Sequence, residues 1–123
     1  MSPVAKAKGD KGKCDDLARE IVRTRGWCQY PDCGSTQNLQ CCHIIGRTYS
    51  NTRTRLDNLL LCCAKHHNLI DTFPDEKLRV TQLVYGEGHY LELRVAAEST
   101  IGQRFDWAAE RARLERLHKM AAA

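Results

Sequence analysis

The chain has no run of apolar residues that approaches the ~18 residues needed to span a membrane. It also lacks a segment that resembles a secretory leader, because residues 1–13 are basic and contain no apolar stretch. Disulfide frameworks are typical of secreted proteins and rare where thiols are kept reduced. These absences predict a cytoplasmic protein with no membrane partner, whose cysteines stay reduced.

The number of cysteines is odd: the chain has seven, so they cannot all form disulfides with one another. Six of the seven lie between residues 28 and 63, and three of the five histidines lie between residues 43 and 67. A chain of 123 residues builds only a modest core, and small domains often depend on a disulfide or a structural metal. Reduced cysteines close to histidines favour the metal.

The spacing of these residues indicates a closed metal site. Cys28 and Cys33 flank a tight turn, and Cys63 and His66 are one helical turn apart at the predicted start of a helix. Three thiolates and an imidazole are a ligand set typical of structural Zn²⁺. We interpret these four residues as a structural zinc site. The alternatives are buried free thiols, or Cys62 in place of Cys63.

Hydrophobic periodicity and turn residues predict an α+β fold in one domain. Residues 1–13 are expected to form a flexible basic arm and residues 14–123 the domain, with a core over 26–73 and a helical extension over 74–120. An N-terminal helix is expected from Asp15 or Asp16 to Arg25. The core that follows is expected to contain a strand over Leu39–Ile45, an exposed loop over 47–55, a strand over Leu56–Leu61 and a helix from Ala64.

This order predicts a ββα unit that a structural zinc would stabilise. The unit is expected to be flanked by the N-terminal helix and the C-terminal helices. The extension is expected to form helices over Pro74–Tyr85, Gly88–Glu98 and Phe105–Met120, whose apolar residues are expected to pack in the core.

Positive charge is concentrated in the first half of the chain. Residues 1–55 carry ten Lys and Arg against five Asp and Glu, a net charge of +5, whereas the remainder carries nine against ten, a net charge of −1. An excess of positive charge close to the histidines favours a polyanionic partner such as nucleic acid.

The run Cys28…Cys33, His43, Asn58, Cys63…His66-His67 resembles the HNH endonucleases, also called His-Me finger or ββα-metal nucleases, that carry a zinc knuckle. It is particularly similar to small phage-encoded members, in which a strand ending in "HIIGR" precedes a segment of the form "D-N-LxxLC". The resemblance covers about residues 26–95 of the sequence.

The resemblance implies catalytic roles for three residues. His43 corresponds to the general base that takes a proton from the attacking water, a task suited to imidazole because its pKa lies near neutral pH. Asn58 corresponds to the residue that braces the loop between the strands and holds His43 by hydrogen bonding. His67 corresponds to a ligand of the single catalytic divalent ion, and Asp71 lies one helical turn later, where the family often has a second ligand.

The residue before the base departs from the family pattern, in which Asp or His at this position binds the catalytic ion. Here it is Cys42, a soft ligand poorly matched to Mg²⁺. Either Cys42 binds a softer ion or it is a bystander, and on a regular strand Cys41 rather than Cys42 shares the face of His43. The catalytic ion therefore stays open among Mg²⁺, Mn²⁺, Ni²⁺ and Zn²⁺.

The expected function is metal-dependent cleavage of DNA phosphodiester bonds, with Arg47, Arg53 and Arg55 contacting the DNA backbone. Analogy with phage relatives suggests work alongside terminase or portal proteins in the host cytoplasm, as a monomer or a dimer. The main alternative is a zinc-ribbon module that binds nucleic acid without cutting it. A cysteine nucleophile at Cys41 or Cys42 is disfavoured, because adjacent strand residues point to opposite faces.

Overall fold

The structure is a computed structural model that describes residues 9–122. Six helices and two strands form an α+β fold. In chain order they are α1 (Asp10–Arg23), β1 (Leu39–His43), α2 (Ser50–Arg53), a 3₁₀ turn (Leu56–Asn58), β2 (Leu59–Cys63), α3 (Ala64–Thr72), α4 (Pro74–Tyr85), α5 (His89–Ser99) and α6 (Trp107–Ala122).

The two strands form an antiparallel hairpin in which Leu39 is opposite Cys63 and His43 is opposite Leu59. Side chains alternate between the two faces of the hairpin, and both faces are covered. Leu59 and Leu61 pack with apolar residues of α1 and α6, whereas the intervening Leu60 packs with apolar residues of α3, α4 and α5. The predicted order of two strands and a helix is present, and the hairpin lies between two helical layers.

Helix α1 begins earlier than the sequence analysis predicts. It starts at Asp10, so the predicted flexible arm is wrong over residues 10–13, while residues 1–8 of that arm lie outside the described residues. Packing against α6 accounts for the extra turn: Asp10 pairs with Arg111, and the buried Cys14 thiol contacts the Trp107 carbonyl oxygen at 3.5 Å.

Compared with the sequence prediction, the first strand of the hairpin is shorter and the second strand is shifted toward the C-terminus. β1 ends at His43 rather than Ile45, and β2 begins at Leu59 rather than Leu56. Asn58 explains both differences, since its backbone oxygen accepts from Ile44 and its side-chain oxygen accepts from the Ile45 amide. At this end of the hairpin, the two hydrogen bonds to Asn58 take the place of regular hydrogen bonds between the strands, and they close the loop that joins β1 to β2.

The segment expected to be an exposed loop over 47–55 is partly ordered and buried. It contains the single turn of α2, and Thr52 and Thr54 are buried. The Thr54 hydroxyl donates to Glu110 of α6. The expectation of an exposed loop is therefore wrong for Thr52 and Thr54, because this part of the loop is attached to the helical layer beneath it.

The C-terminal extension contains the three predicted helices. α4 has the predicted bounds and ends at Gly86, whose φ of 108° lies in a region that favours glycine. The prediction that the apolar residues of these helices lie in the core holds for Leu93 and Leu114 but is wrong for four others, which are exposed: Leu78, Leu83, Leu91 and Val95. Among the described residues, no helix is both long and apolar enough to cross a membrane.

Candidate metal centres and cleft

The four residues predicted to bind zinc converge. One ligand atom from each of Cys28, Cys33, Cys63 and His66 lies within 4.8 Å of the others. The loop carrying the first two cysteines is tied to the second strand, because the Gln29 amide donates to the Leu61 carbonyl. This link sets the loop beside the start of α3.

The geometry of this cluster fits a tetrahedral zinc ion. The Nδ1 atom of His66 lies 3.6 Å from the sulfur of Cys28 and 3.3 Å from that of Cys63. Ligand atoms of tetrahedral zinc, with bonds of about 2.0 to 2.3 Å, are about 3.5 Å apart. Tyr30 stacks on the His66 ring, with centroids 3.9 Å apart and planes within 3°, and so fixes the plane of the imidazole. The donor set and its spacing therefore suit structural zinc.

The structure also resolves the choice between adjacent cysteines. Cys63 belongs to the cluster, whereas Cys62 is fully buried among apolar side chains and burial raises its pKa. Burial disfavours ionisation of Cys63 as well, but the backbone amides of His66 and Lys65 offset it, and its pKa is lowered overall. The sulfur at the helix start is thus the one prepared to act as a thiolate ligand.

A second group of chemically active residues surrounds a cleft of about 500 Å³ beside β1. The cleft is bounded by α1 on one side and by α3 and α4 on the other. Its polar and charged lining residues are Asp15, Arg19, Cys41, His43, Arg47, Arg53, Thr54, His67, Asp71 and Lys77. Thus the predicted base His43 and the predicted ion ligands His67 and Asp71 reach one space from different elements.

His43 is held by a backbone group. Its Nε2 atom lies 3.0 Å from the carbonyl oxygen of Arg53. Since a carbonyl oxygen only accepts, Nε2 carries the proton and Nδ1 keeps the lone pair. Among the described residues, none makes a hydrogen bond to Nδ1. Burial, together with the charge of Arg47, holds the pKa of His43 below its usual 6.5, so the imidazole is a neutral base at physiological pH.

Asn58 braces the loop between the strands as predicted, but it does not hydrogen-bond to His43. The residue is fully buried, and its amide nitrogen donates to the carbonyls of Ile45 and Thr52 at 3.1 and 2.9 Å. The expectation that Asn58 holds His43 directly is therefore corrected: it fixes the loop, and Arg53, next to Thr52, contacts the imidazole.

His67 and Asp71 form a pair of ligand atoms. His67 Nδ1 lies 2.7 Å from the side-chain oxygen of Gln40, an acceptor, so Nδ1 donates and Nε2 keeps its lone pair. That Nε2 is 3.1 Å from an Asp71 carboxylate oxygen. As an imidazolium His67 would donate from Nε2 to Asp71 directly. As the neutral tautomer it leaves two acceptors that suit a cation held between them, because two cis ligands of an octahedral ion with bonds of about 2.1 Å are about 3.0 Å apart.

Cys42 lies beside this pair, and its soft sulfur is a poor match for Mg²⁺. Its sulfur is 3.7 Å from Asp71, within the same candidate metal group. The thiol is fully buried, and burial and the nearby Asp71 charge raise its pKa to about 12. It therefore acts as a neutral donor to Asp71. Cys41 lines the cleft with His43, as alternation along the strand predicts, but burial raises its pKa to about 11.

The three arginines predicted to bind DNA are in different settings. Arg53 is mostly buried in a two-pronged ion pair with Asp15, whereas Arg47 is 57% exposed and contacts the same carboxylate at 3.3 Å. Arg55 does not line the cleft and pairs with Asp57 through two hydrogen bonds of 2.9 and 2.8 Å. The structure therefore brings Arg47 and Arg53 to the site but not Arg55.

Three residues that lie at the candidate site escaped the sequence analysis. The sequence analysis names Asp15 only as a possible start of the first helix, yet its carboxylate accepts from two arginines in the cleft. Lys77 of α4 lies 3.8 Å from Asp71, and Gln40 orients His67. The signal for Gln40 was present, since it shares a strand face with Cys42, but nothing local marked Asp15 or Lys77.

Comparison of the chain with protein-family models, with characterised proteins and with solved structures finds no match. The resemblance to HNH endonucleases therefore stays a prediction that depends on the residues described above.

Proposed function

We propose that this protein is a metal-dependent endonuclease of the HNH type that hydrolyses DNA phosphodiester bonds. The observation that carries the proposal is the convergence of a neutral imidazole, His43, with the His67–Asp71 pair in one open cleft. Phosphodiester hydrolysis needs a base to activate water and positive charge to stabilise the phosphorane-like transition state. The cleft offers both.

The proton transfer falls to His43. Its Nε2–H is occupied by the Arg53 carbonyl, so Nδ1 is the atom that accepts the proton from water. Its lowered pKa keeps this nitrogen unprotonated at neutral pH. After the transfer the imidazolium would still donate to the Arg53 carbonyl, so the same hydrogen bond stabilises the product of the step.

His67 and Asp71 are the residues that would hold the catalytic divalent ion. Such an ion supplies Lewis-acid stabilisation to the phosphate and to the leaving oxygen. The nitrogen and oxygen donors suit Mg²⁺, Mn²⁺, Ni²⁺ or Zn²⁺, and the neutral Cys42 thiol adds no preference for soft ions. The separate cluster of Cys28, Cys33, Cys63 and His66 would hold structural zinc.

Arg47 is the arginine best placed to bind the DNA backbone. Its guanidinium is mostly exposed at the cleft and has one long contact to Asp15, so it can exchange that partner for a phosphate. Arg53 is committed to Asp15, and Arg55 is outside the cleft. With one cleft in each chain, a monomer is expected to nick DNA. Terminase or portal proteins as partners, and a phage origin, follow only from the resemblance.

Relaxation of supercoiled plasmid tests the proposal. The protein, purified with zinc, is incubated with plasmid in Mg²⁺, Mn²⁺, Ni²⁺ or Zn²⁺, alongside His43→Ala and the control His118→Ala. His118 is on α6, outside the cleft, and pairs with Glu20. We expect open-circle product from the wild type and the control, and a loss of about 10²- to 10⁴-fold in His43→Ala. Equal cleavage by His43→Ala would refute the assignment.

A zinc-stabilised module that binds nucleic acid without cutting it is the second candidate. It is favoured by one observation: within the candidate metal group of Cys42, His67 and Asp71, only His67 and Asp71 offer donors suited to Mg²⁺ or Mn²⁺. The same plasmid assay separates the candidates. Intact plasmid in every ion, together with a gel shift that Arg47→Ala weakens, would support the binding module.

A further inference from the structure

The carbonyl oxygen that holds His43 belongs to the last residue of a very short helix. α2 has only four residues, so Arg53 ends it, and its carbonyl has no partner further along the helix. This leaves the oxygen free to accept from His43 Nε2 at 3.0 Å. A single helical turn does not hold its own end in place, so the position of this oxygen depends on what fastens Arg53.

The Arg53 side chain is fastened by Asp15. The Arg53 Nε and Nη2 atoms donate to the two carboxylate oxygens at 2.9 and 2.7 Å. The two side chains are only 16% and 14% exposed, so this pair is shielded from solvent far more than the other arginine pairs of the loop. The Arg53 guanidinium also donates to the Arg47 carbonyl at 3.4 Å, which ties it across its own loop.

We propose that Asp15 is a positioning residue for His43, and that it acts through Arg53. The carboxylate on α1 fixes the guanidinium, the guanidinium fixes the end of α2, and the Arg53 carbonyl selects the imidazole tautomer with its lone pair on Nδ1. The expected loss of cleavage on removal of Asp15 rests on the proposed nuclease function. The expected change in the tautomer of His43 does not depend on that function.

A different role for Asp15 would be to occupy a phosphate site on the arginines until DNA displaces it. The contacts argue against this role for Arg53, which makes three side-chain hydrogen bonds within the protein and is mostly buried. Only Arg47 is exposed enough to exchange partners. The two roles predict opposite results, since removal of a phosphate mimic tightens DNA binding, whereas removal of a positioning residue impairs His43.

The direct test is the tautomer of His43, read from the ring ¹⁵N signals of the zinc-bound full chain at neutral pH without other divalent ions or DNA. In the wild type we expect one protonated and one unprotonated nitrogen, with Nε2 protonated. In Asp15→Asn we expect the two signals to move toward each other as the tautomers mix. Asp15→Glu keeps a carboxylate and is expected to restore the wild-type pattern. Asp16→Asn, the same change on the next residue of α1, is the matched control.

The second readout is cleavage. We expect Asp15→Asn to lower kcat by about tenfold and to leave KM for DNA within about twofold, because the base is misplaced while the binding groups remain. Unchanged ring signals in a folded Asp15→Asn protein would overturn the proposal, as would tighter DNA binding with undiminished cleavage. If the wild type cuts no DNA, the nuclease function fails, but the ring signals still decide whether Asp15 positions His43.

Discussion

His66 and His67 are neighbours in the first turn of α3, yet they belong to different sites. Successive residues of a helix are about 100° apart around its axis, so adjacent side chains leave it in different directions. The His66 ring contacts two thiols and stacks on Tyr30, and the His67 ring lies between Gln40 and Asp71. One short helix therefore serves two centres of contrasting chemistry.

The two centres differ in donor type and in access. The cysteine cluster offers four protein ligands, three of them sulfur, and Cys28 is only 1% exposed. The His67–Asp71 pair in the cleft offers one nitrogen and one carboxylate, and Asp71 is 53% exposed. A closed soft set leaves no position for a substrate, whereas an open hard set does. The difference supports our proposal that the first centre stabilises the fold and that the second performs chemistry.

The largest effect should come from removing a ligand of the closed cluster. We expect His66→Ala to lose bound zinc and most of the cooperative thermal transition, because zinc binding energy is folding energy in small domains and reaches about 10 kcal/mol. Zinc content by elemental analysis and unfolding by circular dichroism measure this. Cys62→Ala is the control, since it truncates a buried thiol outside the cluster and should keep its zinc. A zinc-free His66→Ala protein with an unchanged transition would show that the cluster is not structural.

His67→Ala should produce the opposite pattern. The fold and the bound zinc should be retained, because His67 is outside the cluster and only partly buried. Cleavage should fall by about 10²-fold or more, since one of the two ligands of the catalytic ion is gone. Plasmid relaxation with a titration of the divalent ion measures this, and partial recovery at high ion concentration is expected. Loss of zinc from this variant would show that the two sites are not separate.

The sequence predicted the closed cluster well, because its ligands lie in two short segments whose spacing carries the chemistry. Cys63 and His66 are three residues apart, and the helix between them sets their distance. Likewise the resemblance indicated His67, and helical periodicity placed Asp71 one turn later on the same face. The ββα order and the bounds of α4 were predictable from turn residues such as Gly86 and from Pro74.

The surroundings of His43 were not predictable from local pattern. Its hydrogen-bond acceptor is a backbone carbonyl, which every residue possesses, so no side chain marks it. The Asp15–Arg53 pair joins residues 38 positions apart, and only the packing of α1 against the hairpin brings them together. The early start of α1 escaped prediction for the same reason, because its first turn depends on contacts with α6.

The pH dependence of cleavage should reveal the base in the cleft, and its effect on the rate should be smaller than that of the two ligand substitutions. Burial holds the pKa of His43 below 6.5, and only the unprotonated imidazole accepts a proton. Cleavage should therefore rise about tenfold per pH unit below that pKa and level off above it, so that activity is already maximal at pH 7. Initial rates between pH 5 and 8 at saturating divalent ion measure this. A midpoint clearly above 6.5 would contradict the assignment of His43 as a buried neutral base.

The smallest effect is expected at Cys42, the residue where the chemistry of the two centres comes closest. If its sulfur were a thiolate ligand, the cleft would share the soft character of the cluster, and Cys42→Ala would reduce cleavage in Zn²⁺ or Ni²⁺ more than in Mg²⁺. In the metal-free protein the thiol donates to Asp71, and its buried, soft sulfur is a poor match for Mg²⁺. We therefore expect Cys42→Ala to change cleavage by about twofold or less in each ion, with a stability loss of about 1 kcal/mol from the truncated side chain. Rates measured in the four ions decide between the two, because only a ligand role makes the loss depend on the metal.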